Sequence, residues 1–301
     1  MRFPLRLFCI SIAHPDGFCR APLPENGPEE QKAGVHDLKP ARICRKMYRY
    51  KSGETARRFI YVYPSSYERE MKILPSVCDW AGRLSVWDTF ALFMDMATEH
   101  ADALGIGLKD LAKRDLFWLT VKTKVHFLKR PKMGELVTVS TWPEPPQLLR
   151  CNRDYSVSRN GETILTGKTE WAVMNMKTGK LQKAEEIYPP ELVLLDRRVM
   201  PEPFARLRCA GEEETFGTYT VRSTDLDIGG HMNNAAYVRA FAGLLDTAQW
   251  KSMLFSDLEV HFRTQCFEGD TLTFRRSASE NGCLVQAYLP DGRTAVQIQI
   301  S

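Results

Sequence analysis

The spacing of apolar residues predicts the same order of elements twice. Val86, Trp87, Phe90, Phe93, Met94, Ala97, Ala101 and Leu104 recur at three- and four-residue steps, which is one face of a long helix. Ser85 stands where an N-cap belongs, and Gly105 and Gly107 supply the stop. A strand is expected before this helix, over 57–64. Runs rich in β-branched and aromatic residues predict further strands over 117–128, 136–142, 152–158 and 163–175, with Asn160-Gly161 as a hairpin turn. The order then returns: a strand over 218–222, a helix over 235–250, and strands over 258–263, 271–277, 283–289 and 294–300, with Asp291-Gly292 at the last turn.

The two rounds match residue by residue. Val125-His126-Phe127 recurs as Val260-His261-Phe262, and Gly134-Glu135 as Gly269-Asp270, both 135 positions on. Asn160-Gly161 returns as Asp291-Gly292 after 131, and Gly82 as Gly230 after 148. Two copies make a tandem duplication, not a solenoid. The chain is expected to be α+β, with one unit over 47–200 and a second over 201–301. A stretch from about Met176 to Cys209, carrying Pro189, Pro190, Pro201 and Pro203, links them. Residues 1–46 hold Pro15, Pro22, Pro24, Pro28 and Pro40 with mixed charge and no period, and read as a disordered extension.

Composition narrows the class. At 301 residues and 44% hydrophobic, the chain can bury two cores. The net charge of +4 divides into +4 for residues 1–50, +4 for 51–200 and −4 for 201–301, so no basic face wide enough for nucleic acid is implied. No apolar run reaches the ~18 residues of a spanning helix, and the apolar stretch after Arg6 is too short for a secretory signal. Eight cysteines stand singly, without a Cys-x-x-Cys pair, so no metal is expected and a reducing cytoplasm is.

Chemistry is sought where the halves differ. Before the second helix stands Asp225-Leu226-Asp227-Ile228-Gly229-Gly230-His231-Met232-Asn233-Asn234, whereas the first half has Arg83 in the place of His231 and lacks the asparagines. A carboxylate, an imidazole and two amides beside a helix N-terminus form a candidate site. Read structurally, Asp227 and the glycines make a tight turn and Asn233 or Asn234 caps the helix.

The pattern Asp-Leu-Asp, then His231-Met-Asn-Asn and Tyr237, followed by Leu258-Glu-Val-His-Phe-Arg-Thr-Gln-Cys266, resembles the acyl-[acyl carrier protein] thioesterases of plants and bacteria. Thr169-Glu-Trp-Ala-Val-Met-Asn175 resembles the Trp-containing strand of their first half. The resemblance covers about 55–301 and implies a double hot-dog fold, each half an antiparallel sheet around a central helix. It implies hydrolysis of a carrier-bound fatty acyl thioester, without a cofactor, and an acidic acyl carrier protein as partner. The alternatives are an acyl-CoA thioesterase of the same fold and a catalytically weakened acyl-thioester binder. Fused halves supply the pairing that single hot-dogs make by dimerising, and a homodimer of the whole chain stays open.

The family's catalytic set is an Asp-x-Asn-x-His loop and a Glu-Cys pair. Asp227, His231 and Cys266 match it; Gly229 stands for the Asn, and Gln265, 34 residues past His231, for the Glu. The expected roles are Asp227 as base or water-orienting group, His231 polarising the water or carbonyl, and Gln265 holding a water without accepting its proton. Cys266 is read either as a nucleophile or as a buried strand-end residue. Asn233 and Asn234 at the helix start, with Trp87, Phe90, Met94 and Trp171, are the candidate substrate-binding residues, the last four read otherwise as core. Lys122, Lys124, Lys129, Arg130 and Lys132 are candidates for carrier docking or a solvated sheet face.

Overall fold

The computed structural model describes residues 63–253 and 255–301. The extension over 1–46, the unit boundary at 47 and nearly all of the strand expected over 57–64 lie outside these residues. The first half runs β1 (Tyr67–Lys72), α1 (Val86–Ala103), α2 (Leu108–Ala112), β2 (Leu116–Phe127), β3 (Leu136–Pro143), β4 (Cys151–Arg159) and β5 (Glu162–Asn175). The second runs β6 (Glu214–Thr220), α3 (Asn234–Gly243), α4 (Thr247–Ser252), β7 (Asp257–Phe262), β8 (Thr271–Ser279), β9 (Gly282–Tyr288) and β10 (Thr294–Ile300).

The predicted helix over 86–104 is found almost to the residue. The Ser85 hydroxyl accepts from Asp88 N–H and caps α1. The helix expected over 235–250 is instead two: α3 ends at Gly243, and Asp246 and Gln249 form a reciprocal capping box that starts α4. The strand expected over 218–222 lies earlier, as β6.

The ten strands of the described residues pair antiparallel in one sheet, in the order β1-β3-β4-β5-β2-β7-β10-β9-β8-β6. That order reads as the same half laid twice, reversed about the β2–β7 junction. There Lys124 lies opposite Glu259, and those two positions are 135 apart, the spacing of the sequence repeat. A pseudo-two-fold axis therefore passes between them. The duplication legible in sequence is a rotation in space.

Helices α1 and α3 lie against each other on one face of the sheet. Phe93 of α1 stacks on Tyr155 of β4 with ring centroids 4.2 Å apart, both fully buried. Gly167 of β5 permits that seat, since a Cβ there would stand 2.1 Å from Phe93 Cε2. The Phe93–Tyr155 stack thus depends on the missing side chain at Gly167.

The other face carries a polar row in which Trp142, Asp154, Lys168, Lys124 and Glu259 are successive cross-strand partners. Irregular chain between the halves walks across it. Trp142 Nε1–H donates to Arg197 O at 2.8 Å, and Val199 N–H reaches Asp154 Oδ2 at 3.4 Å. Lys124 Nζ donates to Glu202 O at 2.5 Å, and Ala205 N–H to Glu259 Oε1 at 2.8 Å. Phe204 lies over both Lys122 and Lys124. Lys124 is buried and Lys122 pairs with Glu170, so these two are not a carrier-docking surface. The linker covers what alternation placed on a solvated face.

Asp154 sits fully buried in this row beside Glu144, with Lys168 and Arg198 as the nearby cations. Burial, with Glu144 next, raises its pKa to about 7. Its folded pKa stands above the ordinary value, so the contribution of the neutral acid to stability is intact in acid and lost as pH rises through about 7. Asp154→Asn, neutral throughout, should flatten that decline. Thermal melts from pH 4 to 9 should show the variant gaining on wild type as pH rises from about 4 to about 7, with no further gain above; curves parallel over the whole range would refute it.

Candidate functional site

The loop between β6 and α3 is a tight turn stitched by its own carboxylate. Asp227 N–H donates to His231 O at 2.8 Å and Gly230 N–H to Asp227 O at 3.0 Å. Asp227 Oδ1 accepts from Gly229 N–H at 2.8 Å and from His231 N–H at 3.4 Å. Gly230 at φ +74 gives the turn the left-handed residue it needs. Met232 N–H then donates to Cys266 O at 2.8 Å, fastening the loop to the segment after β7. His231 and Gln265-Cys266, far apart in sequence, are brought together.

The first half contains the same turn. Asp79 N–H donates to Arg83 O at 2.8 Å and Gly82 N–H to Asp79 O at 2.9 Å, with Gly82 at φ +66. Asp79 Oδ1 accepts from Ala81 N–H at 2.9 Å and Arg83 N–H at 3.2 Å, and Leu84 N–H donates to Pro131 O at 2.8 Å. Asp79 is the mate of Asp227, Arg83 of His231 and Arg130 of Gln265. Since a half without the histidine keeps the whole hydrogen-bond set, Oδ1 of Asp227 builds the turn. The halves part at the second oxygen. Asp79 Oδ2 is taken by the Arg130 guanidinium, whereas among the described residues nothing is hydrogen-bonded to Asp227 Oδ2. Gln265, in Arg130's place, is exposed. One turn is closed by an ion pair; the other presents a carboxylate oxygen and an imidazole.

Gly229 separates the two groups. A Cβ there would stand 3.0 Å from Asp227 Oδ1 and 3.1 Å from His231 Nδ1, closer than side chains usually tolerate. The missing side chain is thus a fitted gap between carboxylate and imidazole. Phe267 lies against the His231 ring at a centroid distance of 5.0 Å; nothing in its sequence position marks it.

Cys266 does not stand ready as a nucleophile. It is fully buried, its Sγ faces Thr264 O at 3.6 Å, and burial pushes its thiol above the ordinary range. Tyr237, which aligns with the family tyrosine, donates its hydroxyl to Thr264 O at 3.3 Å beside it. Cys266→Ala should therefore keep hydrolysis within about tenfold of wild type, where loss of a nucleophile costs roughly 10⁴- to 10⁶-fold. Steady-state rates decide between them, with mass spectrometry for a covalent acyl adduct.

Asn233 is the N-cap of α3, its Oδ1 accepting from Ala235 N–H at 2.8 Å, as the structural reading had it. Asn234 opens the helix half-buried. Phe90 and Trp171 are buried in the first half, and Trp87 and Met94 partly so. Met94 Sδ meets Thr120 Oγ1 at 3.7 Å, and Trp118 sits edge-on to Trp171 at 6.1 Å. No ring or hydrogen-bond contact among the described residues joins Trp87, Phe90, Met94 or Trp171 to the loop.

Comparison with known proteins follows the two halves. Residues 64–190 match the acyl-ACP thioesterase N-terminal domain and residues 209–301 the C-terminal domain. An acyl-[acyl-carrier-protein] hydrolase of Cuphea viscosissima is 25% identical over 189 residues, 58% of this chain and 46% of that protein. An oleoyl-acyl carrier protein thioesterase of Arabidopsis thaliana is 24% identical over 202 residues, 60% of this chain and 55% of that one. Both are named as chloroplastic, and the chain spans about half their length. In fold it is similar to an acyl-ACP thioesterase of Bacteroides thetaiotaomicron (TM-score 0.72, 20% identity, 78% of this chain and 97% of that one). A 12:0-ACP thioesterase of Umbellularia californica gives a TM-score of 0.64 at 18% identity, over 80% of this chain and 98% of that one.

Proposed function

This chain belongs to the acyl-ACP thioesterase family, and from that premise we propose that it hydrolyses fatty acyl thioesters of acyl carrier protein, releasing the free acid and ending elongation. The observation that carries the reading is the contrast between the two turns. Only the second has a histidine, and only there is the outer carboxylate oxygen left open.

A thioester is already activated, and its thiolate, with a pKa near ~8.5, leaves without much acid help. The enzyme must supply a placed water, a base and donors for the oxyanion. Asp227 Oδ2 and His231 supply the first two, across the gap left by Gly229. Gln265 orients the water by hydrogen bonding and leaves its proton to Asp227 and His231. Ala235 and Ala236 N–H are taken by Asn233, so the first N–H of α3, that of Asn234, is the donor that supports the oxyanion; one such donor is typically worth ~3 kcal/mol. Met94, Trp118 and Trp171 are the walls proposed for the acyl chain. A reducing compartment, the cytoplasm in our reading, suits the free thiols of Cys78, Cys151, Cys209, Cys266 and Cys283.

Steady-state hydrolysis of acyl carrier protein and acyl-CoA substrates of graded chain length tests this. Preference for the carrier-bound series supports it. Preference for CoA moves the substrate class, and a folded protein with no turnover on either series overturns hydrolysis.

A further inference from the structure

His231 differs from the other described histidines in how its ring is held. His100, His126 and His261 each have a ring nitrogen hydrogen-bonded, to Pro64 O, Asp257 Oδ1 and Glu259 Oε1 respectively. Among the described residues no hydrogen bond reaches either ring nitrogen of His231. Both nitrogens are left to water and substrate, so packing has to set the orientation of the ring. Among the described residues one aromatic side chain packs on it: Phe267, at a centroid distance of 5.0 Å with the planes 58° apart.

The duplication shows that Phe267 is not needed to build its own turn. Phe267 N–H donates to Asp270 Oδ2 at 2.8 Å, Gly269 N–H to Val221 O at 2.9 Å, and Gly269 takes φ +88. In the first half Lys132 N–H donates to Glu135 Oε2 at 2.9 Å, Gly134 N–H to Ile73 O at 2.8 Å, and Gly134 takes φ +88. Lys132 is the mate of Phe267, 135 positions back, and an exposed lysine serves the same turn. The phenyl ring is 52% exposed, so burial is a weak reason for an aromatic residue here. The backbone is fixed in both halves; the side chain matches what faces it, a histidine in one half and Arg83 in the other.

We propose that Phe267 is a positioning residue for His231, holding the imidazole in one orientation beside the open carboxylate of Asp227. In that orientation Nδ1 and Cε1 border the gap at Gly229, 3.1 and 3.7 Å from where a Cβ would stand. The proposal rests on the proposed function for what His231 does, and on the contact alone for how its ring is held. Without the phenyl ring the imidazole keeps both nitrogens but turns freely, and misplacing a reacting group by ~1 Å costs up to about 10²-fold.

The test is hydrolysis by the full chain, with nuclear Overhauser contacts of the His231 ring recorded on the same samples. Phe267→Ala and Phe267→Lys, the second installing the mate residue, should lower kcat about 10- to 100-fold with KM nearly unchanged. Phe267→Tyr, which keeps the ring, should retain most of the rate. In a His231→Ala background Phe267→Ala should cost nothing further, because the effect runs through the imidazole. The contact between His231 Cε1–H and Gly229 Hα should be strong in wild type and Phe267→Tyr and lose most of its intensity in the other two. An undiminished contact in Phe267→Ala and Phe267→Lys overturns the proposal, as does an equal loss of kcat in the His231→Ala background. A wild type without turnover removes the thioesterase reading instead, and the Overhauser contact then decides the placement of the ring by itself.

Discussion

His231→Ala should lower kcat for acyl carrier protein hydrolysis by about 10³-fold, within the 10²- to 10⁴-fold range of a placed acid–base group. Asp227→Asn should cost a similar factor, for a separable reason. Asparagine keeps a side-chain oxygen to accept from Gly229 and His231 N–H, so the turn survives and only the charged outer oxygen is lost. Asp79→Asn in the mate turn is the control: it touches the same hydrogen bonds and should leave the rate unchanged. Single-turnover rates, with melting temperatures to show that each variant folds, decide the matter. If Asp79→Asn were as damaging as Asp227→Asn, the carboxylate would be scaffold in both halves.

Gln265→Arg should close the site without unfolding anything. The first half shows the product of that change already made, since Arg130 stands at the equivalent position and binds the outer oxygen of Asp79. An arginine at 265 would meet Asp227 in the same way, neutralising the carboxylate and filling the space of the water. A fall in kcat of at least about 10²-fold is expected, the lower bound for removing an acid–base group. Gln265→Glu, of equal length and without the cation, should keep or raise activity. Equal rates for wild type and Gln265→Arg would show that Asp227 Oδ2 takes no part.

Much of this was legible in the chain. The α1 face and its Ser85 cap follow from helical spacing, and the offset of 135 from three repeated residues became the register of the β2–β7 junction. β1 escaped because Tyr67–Lys72 alternates half-buried and exposed positions with charged side chains, the weak signal of an edge strand. The break between α3 and α4 escaped because apolar residues continue through it while a capping box interrupts the backbone. Lys122 and Lys124 were placed on one face correctly, but alternation cannot show that a linker lies over that face. At the site, Asp227, His231 and Gln265 are candidates read from residue type and spacing. That Oδ1 of Asp227 serves the turn and Oδ2 the open side needed the first-half copy for comparison.

Lys124 opposite Glu259 at the axis bears on the history of the duplication. In a dimer of identical subunits each residue at the axis faces itself, so such a protein must set lysine against lysine or glutamate against glutamate, at a cost when the position is buried. In the fused chain the two copies of a position are free of that constraint and free to differ, and here they carry opposite charges.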